Sequence, residues 1–505
     1  LLTHLNRDVK NFWVVMALFF FTGIAIVIYL NQTPFQPRER DYAYVGSFYA
    51  FSIWVGLGII AIYDALKKYL KPNIRSVLTV LISLIFVPGL MALENWDDHD
   101  RSGRYTARDI ARNYLDSCDE DAILFTNGDN DTYPLWYVQE VEGYRTDVRV
   151  INLMLLNSEW NIRQLMRKSY ESDVIPMSLS MDKYLDGVNN TFIILEDPRR
   201  IRMSTLVQGI QTENDQFVRR GRSGENITVI PTNKFVLPVD SAKVIRNGTV
   251  NSDDASLIEN EMEWTMKQDQ YTKSVLAELD ILASFDWERP IYFVTGGNEG
   301  ALNLEDHFQY EGLAYRLVPI KTEGGNFFNY GRINTEDLYD KLMNKFSWGR
   351  MNEPDVMIDY YNTRTVSVIR LRKNFIRLAE ALLEEGQNEK AIEVLDRIME
   401  LTPHSKIPYD YFISGITYPQ GEKTVHLSGV IETYYKCGAI EKGNEILLEF
   451  ANILMQDLNY YENLKERHKP GFAEEYYQSR NLYQELFRLA SNYGQNQLLE
   501  TENGQ

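Results

Sequence analysis

Three uncharged apolar runs fall within the first 93 residues: FWVVMALFFFTGIAIVIYL at 12–30, YVGSFYAFSIWVGLGIIAIY at 44–63 and VLTVLISLIFVPGLMAL at 77–93, the last interrupted by Pro88. A helix rises 1.5 Å per residue, so a run of about 19 residues reaches roughly 28 Å, the thickness of a bilayer's hydrocarbon core. One such run fits a buried helix of a soluble protein. Three in succession predict three transmembrane helices and make residues 1–93 a membrane segment.

The average composition hides this. Over 505 residues the hydrophobic fraction is 44% and the mean hydropathy −0.33, as in an ordinary soluble chain. The charge is equally uneven. Residues 1–93 hold eight Lys/Arg against four Asp/Glu, whereas the rest holds 44 against 67, and the whole chain is −19. An acidic body excludes the phosphate-tracking face of a nucleic-acid binder. Two cysteines, Cys118 and Cys437, exclude a disulfide-rich scaffold and a CxxC zinc site, and leave open a single bridge.

Basic residues set the expected orientation. Lys67, Lys68, Lys71 and Arg75 lie in the 64–76 connection, and Arg7 and Lys10 precede the first run. Both regions are expected on the cytoplasmic side, which sends everything after about Glu94 to the extracytoplasmic side. The 31–43 connection opposes this weakly, with Arg38 and Arg40 balanced by Glu39 and Asp41. The chain starts at Leu1, about ten residues before the first run and with no cleavable signal pattern, so the three helices are expected to be the tail of a larger membrane domain.

From residue 94 to 334 helical and strand patterns alternate. An amphipathic stretch at 105–115 precedes a short apolar strand at 122–125. A helix is expected at 132–141, with Pro134 in its first turn, then a strand at 148–155 and a helix from about 158 to 168. This alternation predicts a parallel, layered α/β sheet, extended by 191–195, 290–294 and 314–320. The turn-rich stretch 196–260, with strand candidates at 226–230 and 234–239, reads as an insertion. From 335 to 505 the pattern is helical. Phe375, Leu378, Ala379, Leu382, Ala391, Leu395, Ile398 and Pro403 fall at tetratricopeptide offsets. Leu427 to Phe450 repeats them loosely, with Gly443 at the small position between helices. The expected fold is a three-span membrane α-helical segment, an extracytoplasmic α/β layered domain and a C-terminal tetratricopeptide-like α-helical domain.

Candidate chemistry lies in four places. Arg38, Glu39, Arg40 and Asp41 stand between two spans, where arginine can hold a phosphate in bidentate fashion or simply fix the loop. Asp97, Asp98, His99 and Asp100 follow the third span and read either as ligands or as a solvated turn. Asn127–Tyr137 (NGDNDTYPLWY) follows a strand and precedes a helix, where open α/β sheets place ligands. There Asp129 and Asp131 alternate as divalent-metal ligands do, or Asp131 or Thr132 simply caps the helix, and Trp136 and Tyr137 stack on a sugar or join the core. Residues 295–300, TGGNEG, resemble an anion-binding turn. The six histidines are scattered, and none is assigned as a base. Catalytic residues are not assigned.

Three strings, LNQTPFQPRERDYAYVGSFYAFSIWVGLG, NWDDHDRSGRYTARDIARNYL and ILFTNGDNDTYPLWYVQEVEG, occur in order. They resemble the C-terminal half of a bacterial family of large membrane proteins, carried as a domain of unknown function. That family is similar to eukaryotic protein O-mannosyltransferases of the glycosyltransferase-C class. The resemblance implies a multi-pass enzyme of the bacterial cytoplasmic (inner) membrane, with 94–505 on the periplasmic side. Its donor would be a polyprenyl-phosphate sugar and its acceptors protein Ser/Thr hydroxyls, with a divalent metal as an open requirement. Arg38 and Arg40 would then lie near the carrier phosphate. The base used in this class sits in an early outer loop, and no residue of this chain is assigned to it. The implied partners are the bilayer, the lipid-linked sugar and an acceptor protein, and no nucleic acid. Two alternatives stand beside this: a non-enzymatic membrane-anchored scaffold that binds envelope proteins through its helical repeats, and a metal-dependent hydrolase built on Asp129 and Asp131.

Overall fold

The computed structural model describes residues 1–31, 40–96, 99–221, 224, 226–294, 302–322, 331–356, 358, 368–407, 409 and 427–500. The chain divides into two compact units, Leu1–Gly103 and Arg104–Gln505.

In the first unit, three helices are long and apolar enough to cross a membrane: Val9–Leu30, Asp41–Lys68 and Pro72–Asn95. Their apolar side chains point mostly outward, among them Trp13, Phe21, Ile28, Tyr49, Phe86 and Leu93. Such a surface is stable against lipid and costly in water. A small core of Phe12, Val15, Ala50 and Trp54 joins the first two helices. The Trp54 indole donates to His4 Nδ1 at 3.2 Å. The first helix breaks at Thr22–Gly23, where the Thr22 hydroxyl bonds back to the Leu18 carbonyl at 2.6 Å and competes with the helical ladder. Pro88 sits within a π turn, Ile85–Gly89, because its ring removes one backbone donor and the wider turn absorbs the loss.

The second unit is built on a six-stranded sheet. Its strands are β1 Ile123–Thr126, β2 Arg149–Asn152, β3 Ile291–Val294, β4 Phe308–Glu311, β5 Ala314–Leu317 and β6 Arg332–Ile333, in the order β6-β4-β5-β3-β1-β2. β1 runs parallel to both neighbours, with Ile123 opposite Arg149 on one side and Ile291 on the other. The expected all-parallel sheet is corrected here. β5 runs antiparallel to β3 and to β4, because the two residues between β4 and β5, Gly312 and Leu313, suffice for a hairpin and not for a crossover.

A second correction concerns 191–195. Thr191–Ile194 belongs to a separate four-stranded sheet with Val218–Arg220, Asn226–Ile230 and Gln270–Thr272. Its residues alternate between exposed and buried, so it covers a core with one face only, whereas all residues of β1, β2 and β3 are buried. Lys234–Pro238 pairs with Ile201–Arg202 and Glu261–Thr265 in a third, three-stranded sheet.

Helix α1, Thr106–Asp116, precedes β1; α2, Asp129–Glu140, connects β1 to β2; α3, Glu159–Leu165, follows β2; and α4, Lys273–Ser284, leads into β3. α2 begins three residues earlier than the expected 132, so Pro134 stands inside the helix rather than in its first turn. The C-terminal helices are α5 Val368–Glu384, α6 Asn388–Leu401, α7 Leu427–Lys436, α8 Ile440–Glu462 and α9 Ala473–Asn492. Phe375, Leu378, Ala379, Leu382, Ala391, Leu395 and Ile398 are all buried, as their spacing requires. Gly443 of α8 meets the Tyr435 ring of α7 so closely that a Cβ there would stand 2.5 Å from a ring carbon. One apolar core runs continuously from β1 and β3 through α5 to α9.

Candidate functional site

The parallel strands β3, β1 and β2 define the site. β1 connects to β2 on one side, and the chain returns much later to place β3 on the other. Open α/β sheets hold ligands outside the carboxyl ends of strands at such a reversal. A cleft of about 370 Å³ lies there, walled by Ala107, Ile110, Ala111 and Tyr114 of α1, by Asn127, Gly128, Asn130, Asp131 and Pro134, and by Met154 after β2.

Next in sequence to the lining residues Asn127 and Asp131, Thr126 and Thr132 belong to a buried polar relay. The hydroxyls of Thr126 and Thr132 are 2.6 Å apart, and Asn152 Nδ2 donates to the Thr132 oxygen at 2.8 Å. Asn152 Oδ1 accepts from the Leu155 amide at 2.9 Å. The ends of β1 and β2 and the first turn of α2 are thereby locked together. Low local polarity strengthens each bond and penalises its loss. Of these three residues only Thr132 stood out in the sequence, and as a helix cap rather than as part of a relay. The available signal was a polar residue closing each apolar strand, ILFT and RVIN.

Asp131 lies at the lip. Its carboxylate oxygens accept the backbone amides of Asn127 and Gly128, both at 2.8 Å, and so hold the turn that starts α2. Both oxygens are engaged in capping. Asp129, in the same first turn, is exposed. Among the described residues no group of three or more His, Cys, Asp or Glu side chains could hold a metal ion. Trp136 is half-buried, packs on the core and stacks with Tyr133, ring centres 5.6 Å apart and planes 28° apart. Tyr137 is exposed, and neither it nor Trp136 is among the described residues that wall the cleft.

The other candidates are spread widely. Arg40 is exposed and precedes the short 3-10 turn Asp41–Tyr44 that opens the second membrane-length helix. Arg38, Glu39, Asp97, Asp98 and the 295–300 turn lie outside the described residues. Beside Asp97 and Asp98, Asp100 accepts from the Ser102 amide at 2.8 Å and its hydroxyl at 2.5 Å, the geometry of a turn. His99 Nδ1 lies 2.7 Å from the Asn95 carbonyl oxygen. Cys118 and Cys437 are both free thiols. Burial pushes the Cys118 thiol well above its ordinary range, which leaves it protonated and inert.

Two further groups, Glu278 and His307, carry displaced titration. Glu278 of α4 is buried and pushed up to about 8 by desolvation. Its helix neighbour Asp280 is also buried, but it accepts from Ser178 N and Oγ, Leu179 N and the Tyr184 hydroxyl, all within 3.0 Å. His307 is buried with Nε2 3.0 Å from Glu259 Oε2. Burial pulls its pKa down, and Glu259 acts against that shift. Near Glu259, a polar groove of about 420 Å³ on the three-stranded sheet interleaves Arg200, Lys234 and Lys321 with Glu261 and Glu263. Its charges neutralise one another, as in the Arg200–Glu263 pair at 2.5 Å.

Residues 107–337, from α1 to the short helix Thr335–Asp340 that follows the sheet, match the family described as TMEM260-associated domain 2. Among curated proteins, the Protein O-mannosyl-transferase TMEM260 of Mus musculus is 28% identical over 117 residues. That alignment covers 23% of this chain and 16% of the mouse protein, so the matched part is a small fraction of that relative's length. No solved structure matches the chain.

Proposed function

We propose that this chain is part of an integral membrane glycosyltransferase that moves a sugar from a polyprenyl-phosphate carrier to Ser or Thr hydroxyls of acceptor proteins. The observation that carries the reading is the match of the α/β part to a TMEM260-associated domain, together with the chain's partial likeness to a protein O-mannosyl-transferase, in a chain that carries three membrane-length helices.

In this reaction the acceptor hydroxyl attacks the anomeric carbon, the bond from that carbon to the carrier phosphate breaks, and the phosphate leaves with the electron pair. Guanidinium groups at headgroup depth stabilise that leaving charge, the role we give Arg38 and Arg40. The basic flanks of the spans support an orientation with residues 94–505 in the periplasm of a bacterial inner membrane. The α/β cleft then presents the acceptor or part of the carrier. We read α5 to α8 as tetratricopeptide-like pairs, and the core they share with the sheet favours packing over partner capture. In this reading Asp131 is a structural cap of α2.

The test is the double variant Arg38→Gln/Arg40→Gln in the full-length protein, assayed with a polyprenyl-phosphate sugar and a Ser/Thr-rich acceptor peptide. Transfer should fall by roughly two to three orders of magnitude, as when a leaving-group donor is removed. Unchanged transfer by a well-folded double variant removes the phosphate role.

A further inference from the structure

The margin on which the cleft opens carries large side chains that stay open to solvent. Tyr105 is 45% exposed, Tyr133 52%, Met154 62% and Trp160 52%. Topology brings them to one edge. α2 leaves the carboxyl end of β1 and α3 leaves that of β2, so both helices start there. α1 ends in the short turn that leads into β1, so its first residues also lie there, and Ala107 walls the cleft beside Asn127 and Gly128. Tyr105 immediately precedes α1, Tyr133 is in the second turn of α2, Met154 follows β2, and Trp160 is in the first turn of α3.

Tyrosine and tryptophan present an apolar body with one polar atom, the chemistry that prefers the boundary between headgroups and acyl chains. The chain also enters the unit at this edge. Ten residues, 96–105, join Asn95, the last residue of the third membrane-length helix, to Thr106. Fully extended, a link of that length spans at most about 35 Å. At this edge Asp129 is exposed and Glu159 is paired with Arg163 at 2.5 Å, so the edge offers no net basic charge to an anionic leaflet.

We propose that this edge rests in the headgroup layer of a zwitterionic membrane surface, with Trp160, Met154, Tyr105 and Tyr133 as its anchors, so that the cleft opens onto lipid. The inference does not depend on sugar transfer. A scaffold or a hydrolase with the same edge would dock the same way.

The experiment uses the full chain in phosphatidylcholine nanodiscs. In a Cys437→Ser background, where buried Cys118 stays unlabelled, an environment-sensitive dye is attached through Met154→Cys, Trp160→Cys or, as control, Val141→Cys. Val141 is exposed and lies past the far end of α2. Dyes at 154 and 160 should lose emission roughly two-fold to nitroxide lipids and resist aqueous iodide, as probes about 5–10 Å into the interface do. The dye at 141 should respond only to iodide. Iodide quenching alone at all three positions overturns the proposal. Shielding of 154 and 160 from both quenchers also overturns it, since protein rather than lipid would then cover the edge.

Discussion

The guanidinium of Arg377 lies 4.9 Å from the centre of the Tyr310 ring. Arg377 belongs to α5 and Tyr310 to β4, so the contact fastens the helical hairpins to the β6-β4-β5 side of the sheet. The same arginine donates to the Tyr315 hydroxyl and the Gly331 carbonyl, each at 3.3 Å. Arg377→Ala should destabilise the second unit by about 2–4 kcal/mol, because it leaves a buried void and removes these donors together. Urea unfolding read by tyrosine fluorescence checks this. A single transition at an unchanged midpoint would show that the hairpins dock without it.

Asp131→Ala should cost about 1–2 kcal/mol, the value of a cap that serves two amides. Hydrogen exchange should speed up at the Asn127 and Gly128 amides and stay unchanged in β2. Asp131→Asn keeps an acceptor and should recover part of the loss. Equal exchange in Asp131→Ala and the parent would show that the turn holds itself.

The pH dependence of Glu278 has a definite sign. Its folded-state pKa is raised to about 8 from the ordinary 4.5, so the folded protein binds a proton that the unfolded chain has released. Its presence therefore lowers stability as pH rises through that window, with the full penalty reached above it. Glu278→Gln keeps the shape without the titration. Its stability relative to the parent should climb between these two values by an amount on the order of a few kcal/mol and then level off. Melting curves across the range decide it: a flat difference rules out the buried neutral acid.

Gly349 has φ of 61°, and a Cβ there would stand 2.4 Å from the backbone nitrogen and Cα of Thr106. Its amide donates to Asp109 at 2.9 Å, and Asn113 brackets the Ser347 backbone with bonds of 2.7 and 3.1 Å. Gly349→Ala should thus cost about 2–4 kcal/mol, from backbone strain and from prising the 347–349 segment off α1. Gly128→Ala is the control. No atom lies within 4 Å of a Cβ there, so its melting midpoint should move far less, by the smaller cost of Ala at a helix N-cap.

Periodicity made much of this molecule legible. The three membrane-length helices, α1, β1, β3 and the buried faces of α5 and α6 follow from spacing that lipid or a core must answer. Strand membership did not follow, because Thr191–Ile194 and Ile291–Val294 are both short and apolar, and only the three-dimensional partner separates them. The cleft was legible by position, at the end of β1, but not by composition. The conspicuous residues, Asp131 and Trp136, serve as a cap and a packing group, while the modest Thr126, Thr132 and Asn152 tie together the strand ends beside it. A sequence displays which side chains have chemistry to offer, but not which of them backbone amides have already engaged.

The late return of β3 to the side of β1 shapes how the protein is made. Synthesis of the intervening stretch, residues 127–290, takes roughly ten to thirty seconds at ~5–20 residues per second. Once β2 has been made, β1 can pair with it while its other backbone edge has no native neighbour. An apolar strand with open amides invites a strand from another nascent chain. The ribosome therefore delivers this domain with its central seam unfinished. A chaperone that shields that seam until Ile291 emerges would protect the yield of folded chain.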